Sequence, residues 1–279
     1  MTMSLPVIPT DGLSETRSTL HATARVLGDQ LKRYRPRRKH WWHASLRPSL
    51  TGMTTGVIAG AVDVELEIDL AESRLLFRSS SGETHEQRLF GQSAREVSDS
   101  LHDFYDSVGF LADRSQRGDH ELAEAVTENY SPEVASAIGE TFRSIADQLA
   151  VLRARFREEA SPIQVWPHHF DLSMLWLPGT RIEGQDPADE ESSDQQLNFG
   201  FTFGDGTIPE PYFYVTAYPT PDAYASLELP AGARWQTEGF AGVVMPLAAL
   251  REESNPAAVL QDLWERCLRF GQEALGKGR

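Results

Sequence analysis

Two short words in this chain carry the residue types from which a polar centre can be built. His40-Trp41-Trp42-His43-Ala44-Ser45-Leu46 is one, and Pro167-His168-His169-Phe170-Asp171-Leu172 is the other; with His21 they hold five of the eight histidines. Read as strands, residues two apart share a face and neighbours oppose each other. His43 and Ser45 then point one way, as do His169 and Asp171, whereas His40 and His43 oppose each other and cannot chelate one ion. Brought to a common cleft, His43, His169 and Asp171 have two chemistries open to them. Two imidazoles and a carboxylate can ligate a transition metal, or Asp171 can orient His169 for general acid–base work. The plainer alternative is that these histidines are core elements among tryptophans, each bonded to a backbone carbonyl, with Asp171 capping a turn or pairing with an arginine.

The surrounding residues supply candidate walls. Trp41, Trp42, Trp166 and Trp176 flank the histidines, where they stack a planar ligand or simply fill a core. Along Pro209 to Pro219, Tyr212, Tyr214, Thr216 and Tyr218 fall on one strand face and set three phenols in a row. Candidate ligand-binding residues are therefore His40, Trp42, His168 and Tyr214, around the possible catalytic centre His43, His169 and Asp171. Glu238 is a weaker addition, and Cys267, on the apolar side of its helix, reads as packing. No His-Glu-x-x-His, cysteine pair, Gly-rich phosphate loop or Gly-x-Ser-x-Gly elbow occurs, so no metal or cofactor is assigned from motifs.

Composition narrows the partners. Twenty-six basic against 41 acidic residues give a net charge of −15, which repels phosphate backbones and anionic membranes overall. The basic run Lys32, Arg33, Arg35, Arg37, Arg38 and Lys39 reads as a solvated helix end favoured by the helix dipole, with an anionic ligand as the other reading. No apolar stretch approaches the roughly 20 residues of a membrane helix. A single cysteine and an N-terminus without a secretion pattern point to a cytoplasmic protein. The acidic stretch from Arg181 to Gln196 has no calcium-loop spacing and reads as solvated.

The elements that must position these residues follow from periodicity. Helices are expected near 14–34, at Val97 to Val108, after Ser131-Pro132 and after Asn255-Pro256. The strict alternation of residues 62–70 gives a strand with one wet face. Further strands are expected at His40–Leu50, 74–78, 85–89, 161–177, 197–203, 211–218, 224–229 and 239–245. The order helix, strands, helix occurs twice. Aligning His43 with His169 brings Leu46 over Leu172 and sets Leu50-Thr51-Gly52 against Leu177-Pro178-Gly179, out by one residue that a bulge can absorb. Chance similarity of two aromatic-rich strands is the competing explanation. The expectation is an α+β fold with largely antiparallel sheet. It forms one compact domain over 1–279, made of pseudo-repeats at about 14–110 and 131–275 joined by a helical segment at 111–130.

Thr19-Leu20-His21, His40-Trp41-Trp42-His43, Ser161-Pro162, Phe170-Asp171-Leu172 and Tyr212 to Pro219 together resemble an uncharacterised bacterial family, domain of unknown function family 5996. The resemblance runs from about Leu5 to Ala274 and implies no activity, cofactor or substrate. The second word departs from the family's usual form, which has histidine at Gln164, glycine at His168 and serine at His169. A chemistry common to the family would then not depend on His169. The expectation carried forward is a small-molecule-binding protein, enzymatic or not, with a His/Asp/Trp-lined pocket between the two repeats. A metal-dependent hydrolase using His43, His169 and Asp171 and a non-catalytic partner-binding module stand as alternatives. Cofactor and oligomeric state are left open.

Overall fold

The structure, a computed structural model, describes residue 3 and residues 5–111 and 129–275. In chain order the elements are α1 (Leu13–Tyr34), a 3-10 turn (Lys39–Ala44), β1 (Arg47–Pro48), β2 (Gly52–Ile58), β3 (Val64–Asp69), β4 (Arg74–Ser79), β5 (Thr84–Arg88) and α2 (Ala94–Val108). Then come α3 (Pro132–Arg153), β6 (Glu159–Ala160), β7 (Gln164–Trp166), β8 (Asp171–Leu177), α4 (Glu190–Ser193), β9 (Gln196–Thr202), β10 (Tyr212–Tyr218) and a 3-10 turn (Asp222–Ser226). The chain closes with β11 (Arg234–Gln236), β12 (Gly242–Pro246), α5 (Leu247–Arg251) and α6 (Pro256–Ala274). Helices with antiparallel sheet make the fold α+β. Of the helical link expected at 111–130, residues 112–128 lie outside the described residues. None of the described helices is long and apolar enough to cross a membrane.

Packing divides the chain into two compact units. One holds Leu5–Arg143 with Gln164–Phe170; the other holds Ser144–Ile163 with the chain from Asp171 onward. In the first, β1 to β5 form an antiparallel meander in sequence order. Leu20, Ala24, Leu27 and Leu31, the apolar stripe of α1, are fully buried. Helix α2 begins at a capping box in which Ser93 and Glu96 satisfy each other's backbone N–H. The alternation of β3 places Val64, Leu66 and Ile68 inside, but its polar face is drier than expected. Glu67 and Asp69 are also buried, because Arg78 reaches Glu67 at 2.8 Å and Arg74 reaches Asp69 at 3.0 Å.

In the second unit the sheet runs β11-β12-β10-β9-β8-β6, every pairing along it antiparallel. All seven residues of β8 are buried, and α6 lays Leu260, Leu263, Trp264 and Cys267 against β9 and β10. Gly200 in β9 is required there: a Cβ would lie 2.2 Å from Cζ of Tyr214, its cross-strand partner. The same unit holds an open cavity of about 400 Å³ lined by Ala150, Arg153, Ala154, Phe156, Glu158, Ala160 and Ile163.

Three strand expectations are corrected. His40 to Ala44 is a 3-10 turn rather than a strand, and His40 (φ 47°, ψ 30°) and Trp41 (φ 57°, ψ 22°) lie in the left-handed region that side-chain-bearing residues avoid. Ring stacking holds them there, His40 on Trp42 and Trp41 on His43, with centroids 6.1 and 5.6 Å apart. Residues 161–177 are not one strand: a turn between β7 and β8 contains His168 and His169 and ends on Phe170, also left-handed at φ 56°. The two-residue alternation used to orient His43 with Ser45 and His169 with Asp171 therefore does not apply. Residues 224–229 likewise begin in a 3-10 turn, while β2 and β11 were not expected as strands.

Candidate functional site

His40, Trp42, His43, His168 and His169 all fall in the first unit, whereas Asp171 and Tyr214 fall in the second. In the first unit, an isolated bridge pairs Leu46 with Val165, with N–H···O=C bonds of 3.0 Å in each direction. It sets Gln164 against the loop that follows the 3-10 turn. Helix α1 lets the segment come close through Gly28, where a Cβ would lie 2.5 Å from the Pro167 ring. His21 on the same helix stacks on Phe170 with centroids 5.9 Å apart.

At the centre of this arrangement is Arg47. Its Nη1 donates to Ser45 Oγ at 2.7 Å and to Gln164 Oε1 at 3.3 Å, and lies within bonding reach of the Ser45 and Leu46 carbonyls. Its Nη2 donates to the Trp42 carbonyl at 3.0 Å. Ser45 Oγ is 2.7 Å from Gln164 Oε1 and 3.0 Å from the Trp42 carbonyl, so its one proton serves these two acceptors while it accepts from Arg47. Among the described residues every hydrogen-bond partner of Arg47 is neutral, and the charges that act on it are those of Arg35 and Arg38. Burial first, then the charges of Arg35 and Arg38, push the Arg47 guanidinium down to about 10. Arg35 is pushed down too, by burial and by Arg38, although its Nη2 reaches the Val57 carbonyl at 2.7 Å. Among the described residues no carboxylate forms an ion pair with Arg35, Arg38 or Arg47.

Two donors on the residues bonded to Arg47 are left over. Gln164 Nε2 and Trp42 Nε1 are buried and meet no acceptor among the described residues. The orientation of the Gln164 amide is set by Arg47 and Ser45, which both require the oxygen at Oε1. His43 Nδ1 accepts the Arg38 backbone N–H at 3.2 Å, so in the neutral ring the proton sits on Nε2. Burial, followed by the charges of Arg37, Arg35 and Lys32, holds this imidazole below its ordinary value and therefore neutral at pH 7. Lys32 and Arg37 lie over the Trp41 ring at 5.3 and 5.0 Å.

His168 and His169 are exposed on the turn, their rings 4.2 Å apart. Burial of part of the His168 ring, then His169, His21 and Arg25, push it down to about 4. In the second unit, the Tyr214 hydroxyl donates to Asp171 Oδ2 and the Tyr212 hydroxyl to Asp205 Oδ2. Burial first, then the Asp171 charge, raise the Tyr214 phenol well above its ordinary range, so it remains a donor. Glu238 is exposed, and Cys267 is fully buried with its thiol pushed up to about 12 by that burial. Among the described residues no three His, Cys, Asp or Glu side chains are grouped to hold a metal ion.

Arg47 and Gln164 were missed as functional candidates. Arg47 stands alone after a serine and a leucine, and Gln164, 117 positions further along the chain, is set beside it only by pairing. The one local signal was that Gln164 stands where the resembled family usually has histidine.

A family model of unknown function, DUF5996, matches residues 5–276, and the chain belongs to that family. No curated protein and no solved structure matches it.

Proposed function

We propose, starting from a family to which no activity is attached, that this chain is a small-molecule-binding protein. Its ligand centre lies in the unit formed by residues 5–143 and 164–170, around Trp42, His43, Ser45 and Gln164. The observation that carries the reading is the pair of buried, unpartnered donors Trp42 Nε1 and Gln164 Nε2. A sealed donor without an acceptor costs about 1–3 kcal/mol, and folded proteins keep few of them. Both donors belong to residues tied to Ser45 and Arg47, Trp42 through its carbonyl and Gln164 through Oε1, and they stand next to a left-handed dipeptide, a local cost of the kind that gathers at binding sites. His43, neutral and carrying its proton on Nε2, gives the centre an imidazole N–H, a group that an enzymatic version of this site would use in proton transfer.

A thermal-shift panel of small cationic, neutral, aromatic and anionic compounds tests this on the wild-type chain and on Trp42→Phe, which keeps the ring and removes the donor. The expected result is stabilisation of the wild type by at least one compound, with a reduced shift in the variant. A panel that stabilises neither protein, or both equally, overturns the reading.

A further inference from the structure

We propose that Arg47, flanked by Arg35 and Arg38, binds the phosphate group of a small molecule, with Gln164 as the neutral donor at the same place. This rests on the small-molecule reading above and specifies its ligand.

The argument begins with hydrogen-bond capacity. A guanidinium has five N–H donors in one plane. The two on Nη1 are absorbed by Ser45, Leu46 and Gln164, and one on Nη2 by Trp42. Among the described residues no acceptor meets Nε–H or the second Nη2–H, and Arg47 as a residue is only partly buried. These two donors suit the paired oxygens of an oxyanion, the recognition for which arginine is better built than lysine.

Charge points the same way. A partly buried guanidinium that feels the charges of two others and has no carboxylate partner among the described residues is electrostatically unfinished. The unit does not lack acids: Glu67 and Asp69 are buried a few strands away, but they are taken by Arg78 and Arg74. Cations that repel one another are stabilised by an anion that binds one of them within range of the rest.

The class of anion follows from donor number and from the chain as a whole. A carboxylate has two oxygens and one charge, fewer than the two remaining Arg47 donors and the Gln164 amide can use. A phosphate monoester offers three oxygens and nearly two charges. A nucleic acid is disfavoured, because a polyanion must also approach the rest of a chain carrying −15. A compact phosphate feels chiefly the local cations.

Isothermal titration calorimetry of the full chain with inorganic phosphate, glycerol 3-phosphate and acetate tests the proposal, beside Arg47→Gln, Arg47→Lys, Gln164→Glu and the distant control Arg95→Gln. Phosphate should bind the wild type and the control alike, and acetate at least about tenfold more weakly. Arg47→Gln should weaken phosphate by about tenfold or more, the loss of at least one charge-assisted bond. Arg47→Lys should lie between. Gln164→Glu is the decisive variant, because it supplies Arg47 with an internal carboxylate: it should raise the melting temperature and abolish phosphate binding. Tighter binding of glycerol 3-phosphate than of phosphate assigns an organic phosphate, and equal binding assigns free phosphate; both support the site. No phosphate binding, acetate binding as tight as phosphate, or undiminished phosphate binding in Arg47→Gln or Gln164→Glu overturns it. If a neutral compound in the thermal-shift panel still acts through Trp42 while phosphate is inert, this inference fails and the broader reading stands.

Discussion

Two groups of arginines in the same unit have opposite fates. On β3 and β4, Arg74 and Arg78 meet Asp69 and Glu67 across the sheet, and both carboxylates are buried under the contact. Around the 3-10 turn, Arg47 bonds among the described residues only to neutral oxygens, and the charges that act on it are those of Arg35 and Arg38. The first group is complete within the chain. The second is hydrogen-bonded in geometry and unbalanced in charge, and that combination separates a structural ion pair from a recognition site. In the other unit, Asp171 follows the first pattern by a different route, with a phenol rather than a cation as donor.

The contrast can be broken by substitution, and the largest effect is expected at the seam that assembles the second group. Gly28→Val drives a side chain into Pro167, already 2.5 Å from an added Cβ, and should cost about 3 kcal/mol, the upper end for overpacking. By displacing the Gln164 segment it should also weaken phosphate binding; urea unfolding and calorimetry measure the two losses. Next is Glu67→Ala, which strips a common acceptor from Ser49, Thr51 and Arg78 and should cost about 2 kcal/mol in the same unfolding experiment. Arg47→Met should fall within about 1 kcal/mol of the wild type when no ligand is present, because removing an uncompensated charge offsets the bonds lost. A loss at Arg47 as large as at Glu67 would erase the distinction between the groups.

The smallest effect concerns pH. The native His168 ring titrates near 4, below the 6.5 of an unfolded histidine, so the unfolded chain binds the extra proton between those values. The stability due to the neutral ring is complete above about 6.5 and lost as pH falls towards 4. His168→Gln should flatten the stability curve in that window, while phosphate affinity at pH 7 stays unchanged because His168 is outside the arginine group.

Much of the scaffold was legible. Helices α2, α3 and α6 follow from apolar spacing, the last two with Ser131 and Asn255 at their starts, and β3 from its alternation. The basic run was legible at its beginning, since Lys32 and Arg33 do occupy the last turn of α1. Beyond Pro36 the reading failed, because four ring-bearing residues of five carry no alternation and no glycine or asparagine announces the left-handed pair His40 and Trp41. The histidines drew attention by their type, but two of them ended exposed on a turn. Gln164 and Arg47 drew none, since an isolated bridge between Leu46 and Val165 has no local signature.

That bridge has a consequence for how the protein is made. The segment 164–170 completes a unit whose remainder ends at Arg143, so a nascent chain cannot finish this unit in the order of its synthesis. Until Val165 leaves the ribosome, Leu46 lacks its backbone partner and Gly28 lacks the Pro167 ring that packs on it. A fragment cut after Arg143 would carry every arginine of the site and still lack the piece that seats them.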